Sequence, residues 1–99
     1  MQGAGAPMRI SDGTLRRFWK NGRAKGIDPR AAGHLVDLLS ALDAATKPSD
    51  MAQPGWDFHP LTGNRKGQYA VEIRGLFRLV FEWENDEAVR VTQEDYHGK

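Results

Sequence analysis

Three stretches in the second half of this chain carry side chains able to handle phosphate or move a proton. His59 opens the segment HPLTGNRKG (59–67), where a histidine precedes a glycine-bounded loop with two adjacent cations, Arg65 and Lys66. Arg78 interrupts an otherwise apolar run that contains Phe77, Leu79, Phe81 and Trp83. Glu94, Asp95, Tyr96 and His97 follow directly on a third alternating segment. Histidine exchanges protons near neutrality and serves as base or acid. Arginine holds a phosphate through two parallel N–H groups, and cations aimed at developing charge are often the largest catalytic contribution. A tyrosine can stack on an unpaired base, the usual grip on single-stranded RNA. Together these groups suit cleavage of RNA by its neighbouring 2′-hydroxyl, which needs a base, an acid and cations on the phosphorane, and which needs no metal. Plainer readings stand beside this one. Arg78 can be a strand arginine paired with Glu72 or Glu82, His59 a turn former before Pro60, Arg65 and Lys66 a solvated loop, and Tyr96 and His97 a frayed end.

Other chemistries find little support. The sequence has no phosphate-binding Gly-x-x-x-x-Gly-Lys loop, no Gly-x-Ser-x-Gly elbow and no His-Glu-x-x-His. Cysteine is absent, which removes disulfides and thiolate metal sites. His59, His97 and Asp95 match no standard metal spacing, so neither a metal nor a cofactor is expected. His34, on the polar side of a helix near Asp37, reads as surface.

The elements that must position these residues follow from pattern. Ninety-nine residues make one domain, assigned to 8–99, with residues 1–7 (MQGAGAP) as a disordered leader. No apolar run approaches the roughly 20 residues of a membrane span, so a cytoplasmic protein is expected. Net charge is +1, but residues 9–30 hold seven cations against two acids, and residues 82–95 hold six acids against Arg90. That distribution allows a basic and an acidic surface, or simply two solvated segments. A short strand is possible at 8–11. A first helix is expected over 15–20, capped by Thr14 and ended by Asn21-Gly22. A second runs from Asp28 as N-cap and Pro29 at the first position to about Ala45. Its stripe of Ala31, Ala32, Leu35, Leu38, Leu39 and Leu42 falls at helical spacing, and a loop follows at 46–50.

Beyond residue 55 the period changes to two. Trp56 and Phe58, then Tyr69, Val71 and Ile73, then Phe77, Leu79, Phe81 and Trp83, and last Val89 and Val91, alternate with polar or small residues. Gly75 and residues 84–87 supply turns. Connections this short require antiparallel pairing. Two helices followed by three or four antiparallel strands make an α+β sandwich with helices on one face and the other face open. The aromatic parity of 77–83 must face the helices, which places Arg74, Arg78 and Glu82 on the open face.

From about residue 8 to 97 the sequence also resembles the HigB-like toxins of the RelE/ParE superfamily. The matching stretches are Leu15-Arg16-Arg17-Phe18, Leu42-Asp43-Ala44-Ala45-Thr46, His59-Pro60-Leu61 with Gly63 and Gly67, Phe77-Arg78-Leu79 with Phe81, and Glu94-Asp95-Tyr96-His97. The resemblance implies a RelE-like fold, two N-terminal helices on one face of a small antiparallel sheet of three to five strands. It implies a toxin that enters the ribosomal A site and cuts the bound messenger, inhibiting translation as a metal-independent endoribonuclease. The implied partners are a helix-turn-helix, HigA-like antitoxin, the 70S ribosome and messenger RNA, with operator DNA contacted only through the antitoxin and no membrane. By position, His59, Arg78, Asp95, Tyr96 and His97 match residues implicated in family activity, and Arg65, Lys66, Arg74 and Thr62 are the candidates for RNA or phosphate contact. The sequence departs from the family at Thr62, where many relatives carry lysine, and at Leu76-Phe77, where they carry Asn-Trp. Lys66 or Arg65 would then substitute for the lysine. The alternative is a binding toxin without nuclease activity, either a gyrase poison like the ParE branch or a weakened member that mainly engages its antitoxin.

Overall fold

The computed structural model describes residues 8–74 and 77–95; the leader assigned to 1–7, the turn glycine Gly75, and Tyr96 and His97 lie outside the described residues. Helix α1 spans Gly13–Asn21. Its N-cap is Asp12 rather than Thr14: the Asp12 carboxylate accepts the N–H groups of Thr14 (2.9 Å) and Leu15 (3.2 Å). Thr14 is thus one of the donors being satisfied, not the acceptor. Gly22 ends the helix at φ 73°, a left-handed conformation that glycine adopts without penalty. Helix α2 spans Ala32–Ala44 and buries Leu35, Leu38, Leu39 and Leu42, the expected stripe. It starts later than the sequence suggests. The Asp28 carboxylate is taken up by the backbone N–H and guanidinium of Arg30, and the Ala31 N–H bonds the Asp28 carbonyl at 2.9 Å. This closes a turn ahead of the helix. The expected loop after α2 contains a 3-10 turn at Pro48–Met51, which drives Met51 into the core.

Four strands, β1 (His59–Pro60), β2 (Tyr69–Ile73), β3 (Phe77–Glu84) and β4 (Glu87–Asp95), form an antiparallel sheet in sequence order. Asn85 and Asp86, at φ 52° and 66°, make the two-residue hairpin between β3 and β4. The possible strand at 8–11 is a single bridge, Ile10 to Val91, and it runs parallel to β4. Trp56 and Phe58 precede β1 rather than lying in it, because Gly55 and Asp57 both take positive φ. Even so, the Trp56 carbonyl accepts the Glu72 N–H at 2.9 Å, and Phe58 stacks on Tyr69, which stacks on Phe81.

One buried cluster joins Leu15 and Phe18 of α1, the α2 leucines, Met51, and Val71, Ile73, Leu79, Phe81, Ala88 and Val91 of the sheet. The parity expected for β3 holds: Leu79 and Phe81 enter this core, while Arg78 and Glu82 take the opposite parity. In β4 the expectation fails. Val80 pairs with Thr92 but Glu82 pairs with Val89, so the register slips around Arg90, which sits at φ 51°. This β-bulge turns Val89 to the side of Glu82 while Val91 remains in the core. Among the described residues no helix is long and apolar enough to cross a membrane.

Candidate active site

Register fixes which polar groups share the face away from the core. Directly opposed residues point the same way. His59, Ala70, Val80 and Thr92 form one row, and Glu72, Arg78 and Glu94 the next. His59 is two strands across and two residues along from Arg78, roughly 12 Å between backbones at about 4.8 Å per strand and 3.4 Å per residue. That is the span the two side chains would have to bridge to share one phosphate group. The His59 Nδ1 lies 2.8 Å from the Asp57 carbonyl. A carbonyl only accepts, so Nδ1 carries the hydrogen, and in the neutral ring Nε2 is the free acceptor.

The loop of residues 61–68 is closed by the Leu61 N–H on the Gln68 carbonyl at 2.8 Å. Gly63 and Gly67 take φ 66° and 101°, conformations that make glycine the natural choice at both places. The loop directs Arg65 across the sheet. Its Nη1 and Nη2 both bond Glu94, one oxygen each, and its Nε bonds Gln68 at 2.7 Å. Arg78 approaches the same carboxylate from the side, giving Nε at 3.3 Å and Nη2 at 3.2 Å to a single oxygen. Of five guanidinium N–H groups, Arg78 thus keeps three without a partner among the described residues. Gln68 also donates to Glu82, which with Glu84 holds Arg90. The polar face is one continuous chain from the hairpin tip to Arg78. Ala70 and Val80 lie beneath it, buried although they are not in the core cluster. The Arg65 hydrogen bonds hold the Glu94 carboxyl below the usual glutamate range against a partial desolvation, with Arg78 adding to the effect. Glu94 in turn raises Arg65.

The sequence-predicted residues are therefore distributed unequally. His59, Arg78 and Arg65 converge on the polar face. Thr62 and Lys66 are exposed on the loop, and among the described residues Lys66 has no ion pair. Asp95 pairs with Phe77, whose side belongs to the core parity, so its register sets it on the other face from Arg78. Arg74 is exposed at φ 54° and lines a shallow cavity of about 260 Å³ with His34, Gly55 and Glu72. His34 is half-buried and meets Trp56 edge-on, so it is more than plain surface. Glu72 stands opposite Arg78 in the sheet register, but among the described residues the ion pair of Arg78 is with Glu94, the residue that sequence reasoning passed over as a site group. Counting alternation from Val91, the core residue of β4, would have found it. The two charge segments also meet: Arg9 bridges to Glu87 at 3.4 Å, while Arg17, Lys20, Arg23 and Lys25 remain exposed.

Sheet order, core and an arginine-centred polar face define a small α+β domain of the RelE-like kind. The sequence matches the family described as the RelE-like toxin of the type II toxin–antitoxin system HigB over residues 8–97, and the chain belongs to that family. It is 29% identical over 83 residues to the Endoribonuclease HigB of Proteus vulgaris, covering 84% of this chain and 90% of that protein. It is 31% identical over 78 residues to the Toxin HigB-1 of Vibrio cholerae serotype O1, covering 77% and 82%. Among solved structures, YafQ from E. coli strain BL21(DE3) superposes with a TM-score of 0.58 over 94% of this chain and 96% of its own, at 16% identity, which supports the fold. Membership in this family implies an antitoxin partner.

Proposed function

We propose that the protein is an endoribonuclease that cuts messenger RNA on the ribosome, in the A site, by attack of a 2′-hydroxyl on the adjacent phosphate. The observation that carries this reading is the state of Arg78: half-buried, oriented by Glu94, and left, among the described residues, with three unpartnered N–H groups on the same face as the accepting Nε2 of His59. His59 takes the 2′-hydroxyl proton through Nε2. The 2′-oxygen then bonds to phosphorus, and Arg78 stabilises the charge that builds on the phosphoryl oxygens. The 5′-oxygen leaves with a proton, giving a 2′,3′-cyclic phosphate and a 5′-hydroxyl end. His97 is assigned as the acid, with Tyr96 stacking on a base, by their match to the family motif; the same motif assigns Asp95 a part, although its register sets it on the other face from Arg78. The exposed Lys66 supplies general phosphate attraction, with Thr62 and Arg74 as peripheral contacts. Arginine and histidine provide all the charge compensation this chemistry requires, so cleavage proceeds in chelator. A cytoplasmic site of action and a HigA-like helix-turn-helix antitoxin, which alone contacts operator DNA, complete the reading. The test is to map cuts on messenger bound to ribosomes with purified protein, beside the same messenger free. A cut with a cyclic phosphate end, abolished by a 2′-deoxy nucleotide at the cut site and absent from free messenger, is expected. Growth arrest without any cut in ribosome-bound messenger would overturn the reading in favour of a binding toxin.

A further inference from the structure

Glu94 stands where it could disable the residue it orients. A carboxylate beside Arg78 that was free to turn would close a two-pronged pair on the two N–H groups it already meets and cancel the positive charge a phosphate needs. The structure shows what stops this. Arg65 reaches across from the loop and engages both Glu94 oxygens, while its own Nε is anchored on Gln68. Glu94 is left able to offer Arg78 only the side of one oxygen, at 3.2 to 3.3 Å. The charges follow the geometry: Arg65 and Glu94 compensate one another, and the positive charge of Arg78 is surplus. All three side chains are only partly exposed, at 35% for Arg65, 31% for Glu94 and 22% for Arg78, so solvent screens this balance incompletely.

We propose that Arg65 is a positioning residue, which sequesters Glu94 so that Arg78 keeps its positive charge for the scissile phosphate. Arg65 itself does not grip the RNA. The proposal rests on the nuclease reading for its consequence but not for its geometry. It makes a prediction that a phosphate-binding Arg65 cannot meet: removing Arg65 alone is worse than removing Arg65 and Glu94 together.

Single-turnover cleavage of ribosome-bound messenger is measured for wild type, Arg65→Gln, Arg65→Lys, Glu94→Gln and the double variant Arg65→Gln/Glu94→Gln, each first shown to be folded by its melting curve. Arg65→Gln lowers the rate at saturation by about 10-fold or more, part of the 10²–10³-fold that outright loss of such a contact costs. Lysine cannot fork a carboxylate, so Arg65→Lys falls between. In the double variant no carboxylate remains to capture Arg78, and the rate at saturation recovers at least about threefold over Arg65→Gln. Half-saturating concentration and its salt dependence stay near wild type throughout. A double variant as slow as Arg65→Gln or slower, or a loss confined to half-saturation with a shallower salt slope, would overturn the proposal and make Arg65 a direct phosphate contact. A second readout needs no catalysis: the side-chain N–H resonances of Arg78 are followed while inorganic phosphate is added. The Arg78 signals respond in wild type, respond weakly in Arg65→Gln and recover in the double variant. If wild type never cuts messenger but this pattern holds, the nuclease reading fails and the brace stands. If the Arg78 response is unchanged in Arg65→Gln, the brace fails whatever the cleavage shows.

Discussion

Replacing Arg78 with alanine tests the face assignment and the site together, provided its neighbour Leu79 is replaced in parallel. The two are adjacent in β3 but occupy different environments: the Arg78 side chain is 22% exposed and Leu79 is fully buried. Leu79→Ala removes core methyl groups and leaves a cavity among Val71, Phe81 and Val91, a loss of roughly 2–5 kcal/mol. For a domain of this size each kcal/mol lowers Tm by about 4–8 °C, so the midpoint falls by some 10 °C or more. Arg78→Ala loses a partly exposed pair with Glu94 that is long, one-oxygened and screened, an interaction of at most about 1 kcal/mol, and Tm moves by a few degrees. Activity shows the reverse order. On the proposed reading Arg78 contacts the phosphate, and losing one such contact slows cleavage by about 10²–10³-fold. Arg78→Lys restores only part of this, since lysine keeps the charge and loses the planar fork. The assay is calorimetry paired with single-turnover cleavage on ribosomes. An Arg78→Ala protein that melts far below Leu79→Ala, or that cleaves within about fivefold of wild type, would refute the assignment of this face to catalysis.

Three further outcomes are expected. His59→Gln lowers cleavage by about 10²-fold; full cleavage by this variant would take His59 out of the mechanism. Thr62→Lys is accommodated because Thr62 is exposed on extended backbone and caps nothing; it raises the single-turnover rate and steepens the salt dependence of ribosome binding by about one charge, whereas no change would mean that Lys66 already fills that place. Folding depresses the Glu94 pKa, so its stabilisation is complete above the ordinary glutamate value and is lost as pH falls through the lower, folded value; Tm measured below about pH 4 therefore declines more steeply for wild type than for Glu94→Gln, and parallel curves would show that the Arg65 and Arg78 bonds do not couple to folding.

Much of the architecture was legible because it depends on periodicity. The α2 leucines and the alternation of Phe77, Leu79 and Phe81 leave one way to bury apolar area, and Arg78 is then forced outward. What escaped depended on single side chains competing for backbone. Asp12 outcompetes Thr14 for the α1 cap because it stands before the helix with an acceptor to offer. Asp28 serves Arg30 instead of α2. Arg90 adopts a left-handed conformation in mid-strand, and no residue-type rule marks an arginine as a bulge. The slip did not hide Glu94, because alternation counted from Val91 sets it beside Arg78 with or without the bulge; the family motif drew attention to Asp95 instead.

The polar face that results is unusual for a surface proposed to receive RNA, because its charges largely cancel among the described residues. Arg65, Arg78 and Arg90 lie in one chain with Glu82, Glu84 and Glu94. A field that cancels within a few ångströms steers little polyanion from a distance, since steering needs an excess of one sign. Phosphate contacts also supply most of the sequence-independent affinity for nucleic acid. Such a face has the means to stabilise a phosphorane already lodged against Arg78 but little means to gather free RNA. The exposed cations Arg17, Lys20, Arg23 and Lys25 belong to α1 and the segment after it, not to the face that holds Arg78. On the proposed reading, delivery then comes from another assembly that fixes the messenger in place. This is the physical ground for expecting cuts in ribosome-bound messenger and none in the same RNA free in solution.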